Sequence, residues 1–253
     1  MTMYLAGRPD AQGRALVLVH GAGGDHKLWG AVFRRLRTRG IPALAVDLPG
    51  HGRSPGPGRA SVAAYGRDLT GLLEEQGVRE HALAGHSLGG AIALWLAAVR
   101  APGLRGLGAV STGARLPVDP TILKGMLQAF SCTVENLARF CFAKGTPEET
   151  WREAATTMAA AGPVVLHGDF AACAAYGVSD EELSGLRVPA EVVCGEADIL
   201  TPMPLSEELA QAIPGAQLTR IPRCGHMPLL EAPDALADAL LRLWERSFPA
   251  LPP

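Results

Sequence analysis

The pentapeptide Gly85-His86-Ser87-Leu88-Gly89 decides the fold of this chain. The apolar residues 82–84 before it predict the end of a buried strand, and the alanine- and leucine-rich segment 90–99 after it predicts a helix. A G-x-S-x-G pattern between a strand and a helix forms a sharp turn that exposes the serine at the top of a sheet. The helix N-terminus beside it favours developing negative charge. Ser87 is therefore predicted to be a nucleophile.

A serine hydroxyl needs a general base, and the base needs an acid that orients it. In this strand–turn–helix setting the order along the chain is serine, acid, histidine. Of the seven histidines, His226 alone follows a credible acid, and it comes directly after the strand-like run 216–221. The acid is predicted just past the apolar run 190–194, where Asp198 is the first candidate and Glu196 the alternative.

Acyl transfer also needs two backbone N–H groups that stabilise the oxyanion of the tetrahedral intermediate. The residue after the nucleophile, Leu88, is predicted to supply one of them. The second is expected in a turn after an early strand. Residues 15–19 form that predicted strand, the glycine-rich segment 20–24 follows it, and Ala22 is the predicted donor.

Five motifs in this order resemble the landmarks of the α/β-hydrolase superfamily, and the resemblance covers nearly the whole chain. The motifs are His20-Gly21-Ala22-Gly23-Gly24, Asp47-Leu48-Pro49-Gly50-His51-Gly52-Arg53-Ser54, Gly85-His86-Ser87-Leu88-Gly89-Gly90, Gly195-Glu196-Ala197-Asp198 with Thr201-Pro202, and Gly225-His226. The resemblance favours Asp198 over Glu196, because the third residue after Gly195 matches the acid position of the superfamily.

The resemblance implies a catalytic triad of Ser87, His226 and Asp198, with no metal and no organic cofactor. It implies an α/β class fold, with a mostly parallel central sheet, helices on both faces and an inserted helical cap. The expected core domain comprises residues 1–112 and 186–253, and the cap or lid comprises residues 113–185. The fold hosts many reactions, so it does not by itself define a substrate.

Hydrophobic periodicity predicts strands that alternate with amphipathic helices, the pattern of a parallel sheet covered on both faces. The predicted strands are 15–19, 42–46, 81–84, 104–110, 190–194 and 217–221, with an edge strand at 3–5. The predicted helices are 28–39, 62–76, 88–99, 204–212 and 233–246. Residues 113–185 break this alternation with helix-like patterns only.

Side chains that line the substrate pocket are harder to identify. Phe130 and Trp151 of the cap are predicted to reach it, together with Met227 beside the predicted base. Trp29 either lines the acyl pocket or starts its helix. Most other apolar residues of the cap are expected to pack the cap onto the core.

Three further histidines lie near the predicted site. His51 is expected to bond nearby loop backbone, and His20 is expected to hold the oxyanion loop in shape. His86, next to the nucleophile, is expected either to tune the pocket or to pack beneath the turn. His51 and His20 are thus predicted to be structural, and the two interpretations of His86 stay open.

The composition is that of one enzyme-sized domain. The net charge of −2 gives no electrostatic reason to bind nucleic acid or an anionic membrane, so a small-molecule substrate is expected. The sequence shows neither the apolar core of a signal peptide nor an apolar run long enough to span a membrane. The five cysteines are predicted to be buried free thiols, which suggests a reducing cytoplasm. The abundance of Ala, Arg, Gly and Pro suggests a bacterial genome, and nothing indicates an oligomeric state.

The predicted activity is that of a serine esterase, which hydrolyses a small to medium carboxylic ester, lactone or thioester through an acyl-enzyme on Ser87. Three alternatives stay open. The same triad could hydrolyse carbon–carbon bonds or catalyse a related elimination of menaquinone-pathway type, in which case a basic residue would face the pocket. The fold could also serve a cofactor-free perhydrolase or a ligand-binding receptor that signals through its lid.

Overall fold

The computed structural model describes residues 3–249. Its centre is a seven-stranded sheet with the strand order β1-β3-β2-β4-β5-β6-β7. The first strand pairs antiparallel with β3, and every other pairing in the sheet is parallel. Because the parallel strands point the same way, the loops that follow them gather at one edge of the sheet, where ligands bind in such folds.

The strands are β1 (Leu5–Gly7), β2 (Arg14–Val19), β3 (Ala43–Val46), β4 (Glu80–His86), β5 (Leu104–Val110), β6 (Ala190–Gly195) and β7 (Gln217–Ile221). The helices are α1 (Gly30–Thr38), α2 (Val62–Glu75), α3 (Leu88–Ala98), α4 (Pro120–Gln128), α5 (Phe130–Phe140), α6 (Glu148–Ala160), α7 (Pro163–Ala174), α8 (Asp180–Ser184), α9 (Met203–Ala212), α10 (Pro228–Glu231) and α11 (Pro233–Ser247). A short 3₁₀ helix, His26–Trp29, precedes α1.

Both faces of the sheet are buried. Along β2, Val17 and Val19 pack into one apolar cluster, whereas the alternate residues Leu16 and Leu18 pack into another. Helices α2, α3 and α9 cover the first face, and α1 and α11 cover the second. This alternation is the period of two expected of a strand between two layers of helices, and it explains the near-continuous apolar run of β2.

Helices α4 to α8 lie between β5 and β6, in the segment 113–185, which we call the insert. The base of the insert is closed by an isolated antiparallel bridge between Arg115 and Gly177. The Val178 amide also donates a hydrogen bond of 3.0 Å to the Ala114 carbonyl. The chain thus enters and leaves helices α4 to α7 at one point, and α8 follows the bridge. Inside it, α4 and α5 pack on one another and on α7 and α6 respectively.

The predicted fold class is confirmed by this architecture. The six predicted strands of the parallel sheet and the five predicted helices agree with observed elements to within two residues at their ends, and the short helix α10 was not predicted. The edge strand is displaced: it was predicted at 3–5 and lies at Leu5–Gly7. Its register on β3 pairs Leu5 with Val46 and Gly7 with Leu44. Residue 4 instead donates its amide to the Ser54 hydroxyl, outside the ladder.

The five cysteines are free thiols, but they are not all buried. Four of them are buried, whereas Cys132 on α5 is exposed, which corrects the prediction for that residue. Within residues 3–249 no helix has both the length and the apolar character needed to span a bilayer. Over the same residues, no group of three or more His, Cys, Asp or Glu side chains is arranged to hold a metal ion.

Candidate active site

Ser87 occupies a strained turn between β4 and α3. Its φ of 52° and ψ of −115° lie where side-chain-bearing residues seldom occur, so the surrounding structure must enforce them. Gly85 allows the turn, because a Cβ there would overlap the backbone of Gly89. Gly89 has no room for a side chain either, since a Cβ would strike the carbonyl oxygens of Val19 and His20. These steric demands explain the glycines on both sides of the serine.

His226 and Asp198 form a buried pair at the same edge of the sheet. His226 follows β7, Asp198 follows β6, and the His226 Nδ1 lies 2.9 Å from the Asp198 Oδ2. Burial raises the pKa of the Asp198 carboxyl, but the neighbouring His226 and the hydrogen bonds from Thr201 outweigh it and lower the pKa below its usual value. Asp198 therefore stays a carboxylate that accepts the Nδ1 proton, which leaves the Nε2 of His226 as the basic nitrogen.

Thr201 completes the surroundings of the acid. Its amide and the amide of Leu200 each donate to the Asp198 Oδ1 at 2.9 Å. The Thr201 hydroxyl donates to the Oδ2 at 2.8 Å and lies 3.1 Å from the His226 Nδ1. Because the Asp198 carboxylate accepts these bonds as well as that of the histidine, its rotamer is fixed and its charge is compensated.

Ser87 and His226 line one small cavity of about 50 Å³. The remaining lining is mainly apolar and comes from both the core and the insert. Its members are Gly21, Ala22, Gly23, Gly24, Leu28, His86, Leu137, Cys141, Ala154, Thr157, Met158, Phe170, Leu200 and Met227. A strained serine and a carboxylate-bound histidine that line one cavity are the kinds of group that nucleophilic catalysis uses.

The two amides predicted as oxyanion donors belong to the turn after Ser87 and to the glycine-rich loop. Leu88 is the first residue of α3, where a helical amide has no partner one turn back. Ala22 lines the cavity in the glycine-rich loop after β2. Among residues 3–249, neither amide donates a hydrogen bond to a protein acceptor. Both amides are thus free of a protein acceptor within these residues, as oxyanion donors must be.

His20 and His86 are buried beneath this loop. The Leu48 amide donates to the His20 Nε2 at 3.0 Å, so the His20 Nδ1 carries the proton that it donates to the Gly21 carbonyl at 2.7 Å. The His86 Nε2 lies 2.8 Å from the carbonyl of His226 and donates to it. Burial lowers the pKa of each of these two imidazoles to about 3, so both are neutral.

The four residues predicted to contact substrate are placed differently. Met227 lines the cavity. Trp29 does not, because its side chain is fully buried among Leu16, Leu18 and their neighbours beneath α1. Phe130 packs in the apolar cluster inside the insert, and Trp151 packs with residues of the insert beside Met227 while the Arg152 guanidinium stacks over its ring at 5.0 Å.

Smaller aliphatic and thioether side chains line the cavity in place of these aromatic residues. Ala154 and Met158 are four residues apart on α6, and Leu137 lies on the buried face of α5. Leu28 follows the glycine-rich loop, and Leu200 follows Asp198 by two residues. Proximity to the loop and to the acid was a usable signal for Leu28 and Leu200. The helical residues give no such signal, because their amphipathic spacing is that of any packed helix.

Comparison with known proteins assigns the chain to a family. The model of the alpha/beta hydrolase family matches residues 16–239. Since this match spans most of the chain, the chain belongs to that family. The predicted membership of the superfamily is thus confirmed, as is the broader prediction that the protein is an enzyme of the hydrolase class.

Individual relatives are distant but cover the chain almost fully. A pimeloyl-[acyl-carrier protein] methyl ester esterase of Neisseria meningitidis serogroup B is 27% identical over 242 residues, which cover 90% of this chain and 92% of that protein. A hydrolase from Pseudomonas aeruginosa PA01 has a TM-score of 0.84 at 28% identity and covers 96% and 93% of the two chains. An esterase from Thermogutta terrifontis, with a TM-score of 0.86 at 24% identity over 97% and 93%, shares the fold.

Proposed function

We propose that this protein hydrolyses carboxylic esters or thioesters through an acyl-enzyme on Ser87. The observation that carries the proposal is the cavity that Ser87 and His226 share, together with the strained backbone of the serine and the buried carboxylate that bonds the histidine. The similarity to a methyl ester esterase and to a hydrolase of the same fold supports the same reaction class.

The chemistry follows from the roles of these groups. The His226 Nε2 takes the proton of Ser87 as the serine oxygen attacks the carbonyl carbon, and Asp198 stabilises the resulting imidazolium. The Ala22 and Leu88 amides stabilise the oxyanion of the tetrahedral intermediate. His226 then protonates the leaving alcohol or thiol, and it later activates the water that releases the acid. No step calls for a metal or an organic cofactor.

The lining of the cavity supports an uncharged acyl group. Most of its side chains are aliphatic, aromatic or thioether groups, and the polar ones near the serine are Thr157 and neutral His86. A charged acyl chain would lose its hydration there without gaining a counter-ion. The fit is therefore to small and medium aliphatic acids, and it disfavours the carboxylate-bearing substrates expected of a carbon–carbon bond hydrolase.

We further propose that the insert is a lid. Leu137, Thr157, Met158 and Phe170 of α5, α6 and α7 form part of the cavity wall. The enclosed volume of about 50 Å³ is well below the ~300 Å³ or more of typical ligand pockets. Movement of these helices away from the core enlarges the site for a substrate of several carbons, and their return excludes water.

A panel of p-nitrophenyl esters of increasing acyl length tests the activity. We expect nitrophenol release that falls to background in Ser87→Ala, while the unfolding temperature stays close to that of the wild type. Ser206→Ala is the control, because Ser206 is a buried serine on α9 outside the cavity. Wild-type rates in Ser87→Ala would refute the acyl-enzyme, and no Ser87-dependent release from any ester would redirect the search to carbon–carbon bonds.

The same panel tests the cavity. Ala154→Leu places a larger side chain on the cavity wall, so we expect kcat/KM for the longest accepted ester to fall about tenfold while the shortest ester is little affected, at ~0.8 kcal/mol for each methylene group excluded. Ala159→Leu on the exposed side of the same helix is the control. An equal loss on all esters in Ala154→Leu would contradict the assignment of this wall.

A further inference from the structure

A second buried carboxylate ties the insert to the core behind the glycine-rich loop. Asp169 lies on α7, and its side chain is fully buried. The Asp169 Oδ2 accepts hydrogen bonds from the Gly23 amide at 3.1 Å and from the His51 Nε2 at 2.8 Å. The Asp169 Oδ1 accepts a hydrogen bond of 2.5 Å from the Tyr65 hydroxyl. One side chain of the insert therefore joins three separate segments of the core.

The His51 imidazole is held in its charged form by this arrangement. Its Nε2 faces the carboxylate of Asp169, and its Nδ1 lies 3.1 Å from the Pro49 carbonyl. Both partners accept hydrogen bonds, so both ring nitrogens carry protons. Burial lowers the pKa of His51, but the hydrogen bond and the charge of Asp169 outweigh burial and raise it above its usual value.

The other titratable groups around His51 are consistent with one ion pair. Asp47, after β3, adds a second negative charge that favours the imidazolium. The His20 ring lies 5.0 Å away, centroid to centroid, and it is neutral because burial lowers its pKa to about 3. The Tyr65 phenol donates its proton to Asp169 and stays neutral. The pair thus consists of one carboxylate and one imidazolium.

The Asp169–His51 ion pair is hydrogen-bonded to the loop that contains Ala22. On one side of Ala22, the Gly21 carbonyl accepts the His20 bond, and on the other side the Gly23 amide donates to Asp169. The insert also packs onto the loop, because a Cβ at Gly23 would overlap Leu166 and Met158. The orientation of the Ala22 amide is therefore fixed from both neighbours, and one of these restraints comes from the insert.

We propose that Asp169 is a positioning residue that orients the Ala22 amide as an oxyanion donor whenever α7 is seated on the core. The proposal rests on the proposed function, in which Ala22 stabilises the oxyanion. Lifting α7 withdraws Asp169 from Gly23, so the oxyanion hole is complete only in the closed enzyme. Substrate enclosure and transition-state stabilisation are then coupled through one carboxylate.

Three variants separate positioning from simple attachment of the insert. Asp169→Ala removes every bond to Gly23, His51 and Tyr65. In Asp169→Asn the amide oxygen still accepts from Gly23 and His51, while the amide nitrogen donates to the Tyr65 oxygen, so the positioning bond is kept without the charge. Tyr65→Phe loses one bond to Asp169 but leaves the bond to Gly23 in place, which makes it the control for stability.

We expect a loss of transition-state stabilisation that follows the Gly23 bond. In Asp169→Ala, kcat for a short p-nitrophenyl ester falls about 30- to 100-fold, less than the ~10²- to 10³-fold typical of deleting a donor outright, and KM changes less than about threefold. A phenylalkyl boronic acid, which forms an anionic tetrahedral adduct on the serine, loses affinity by the same factor. Asp169→Asn and Tyr65→Phe keep both quantities within about fivefold of the wild type.

A purely structural role gives a different pattern. If Asp169→Ala lowers the unfolding temperature but leaves kcat and boronic acid affinity within about threefold of the wild type, the proposal is wrong. It is equally wrong if Tyr65→Phe loses as much kcat as Asp169→Ala. Should Asp169→Ala fail to fold, Asp169→Glu, which displaces the carboxylate, is measured in its place against Asp169→Asn with the same expectations.

Failure of the proposed function is recognised separately. If wild-type protein shows no Ser87-dependent ester hydrolysis, the reaction assignment has failed. The restraint itself is still measured by the amide resonance of Gly23 in ¹⁵N-labelled protein, which shifts in Asp169→Ala and not in Tyr65→Phe if Asp169 holds that amide. An unshifted Gly23 resonance in Asp169→Ala overturns the positioning role whatever the reaction is.

Discussion

Among residues 3–249, two aspartate–histidine pairs in which both side chains are almost fully buried have nearly the same separation but different hydrogen bonding. His226 and Asp198 are 2.9 Å apart, and His51 and Asp169 are 2.8 Å apart. His226 bonds its carboxylate through Nδ1 and lines the cavity. His51 has both nitrogens occupied, by a carboxylate and by a carbonyl. A histidine that is bonded to an aspartate can transfer a proton to or from a substrate only where its second ring nitrogen has no protein partner.

The origin of the partners differs in the same way. Asp198 and His226 both follow strands of the sheet, so both partners belong to the core, although the His226 amide also donates to the Cys141 carbonyl of the insert at 2.7 Å. Asp169 lies in the insert and His51 in the core, so their pairing exists only while the two regions are in contact. The first pair is suited to a fixed reaction geometry, and the second is suited to report whether the insert is seated.

Exchanging each aspartate for asparagine gives the largest expected difference between the pairs. Asp198→Asn keeps the shape but favours the wrong tautomer of His226, so we expect kcat to fall about 10⁴-fold. Asp169→Asn keeps its hydrogen bonds, so kcat should stay within about fivefold. Steady-state kinetics on one p-nitrophenyl ester measures both. Comparable losses in the two variants would show that the pairs do not have separate roles.

Each pair also accepts a hydrogen bond from a hydroxyl group, and removing that hydroxyl should have a smaller effect than exchanging the aspartate. Thr201→Val removes the hydroxyl that donates to the Asp198 Oδ2, and a lost bond to a charged group of about 1.5 kcal/mol corresponds to roughly a tenfold fall in kcat. Tyr65→Phe removes the hydroxyl that donates to Asp169 and should lower the unfolding temperature with little change in kcat. Kinetics and thermal unfolding of both variants distinguish the two effects, and a kinetic defect confined to Tyr65→Phe would reverse the assignment.

The pH dependence of stability provides the finest test, because the two pairs contribute with opposite signs. The raised pKa of His51 means that its pair stabilises the fold fully below the unfolded value near 6.5 and loses that contribution as pH rises through the folded pKa. The lowered pKa of Asp198 means that its pair stabilises above the unfolded value near 3.8 and loses its contribution in acid.

Urea unfolding of the wild type and Asp169→Asn at about pH 6 and about pH 9 isolates the first contribution. The wild type should be the more stable of the two at the lower pH, and its advantage should shrink at the higher pH. A constant difference in the free energy of unfolding would mean that His51 does not change its charge between folded and unfolded protein.

Sequence reasoning succeeds where local sterics decide the structure. The glycines around Ser87 are required by backbone contacts within a few residues, so the strand, turn and helix there could be predicted together. The strands that carry Asp198 and His226 were equally visible, because fully buried parallel strands are short apolar runs. The contacts of His51 were visible only in part: its bond to the Pro49 carbonyl is local, whereas Asp169 is 118 residues away in the chain.

The insert was less predictable for a physical reason. Amphipathic spacing identifies the buried face of a helix but not the element that the face meets. The large aromatic residues Phe130 and Trp151 were the natural candidates for the pocket, yet they pack among the helices of the insert. Trp29, which the sequence allowed either to line the acyl pocket or to start its helix, lies in the core beneath α1. The cavity wall is instead built from residues such as Met158, which no neighbouring sequence motif marks as part of a site.

The single bridge between Arg115 and Gly177 has a consequence for how such proteins diversify. Since the chain enters and leaves there, evolution or a protein engineer can exchange the helices between these residues and leave the register of the sheet unchanged. A transplanted segment would then alter the shape of the pocket while it inherits the serine, acid and base of the host. It must also bring an acid to the position of Asp169, because the host keeps His51, and an unmatched buried imidazolium would oppose the graft.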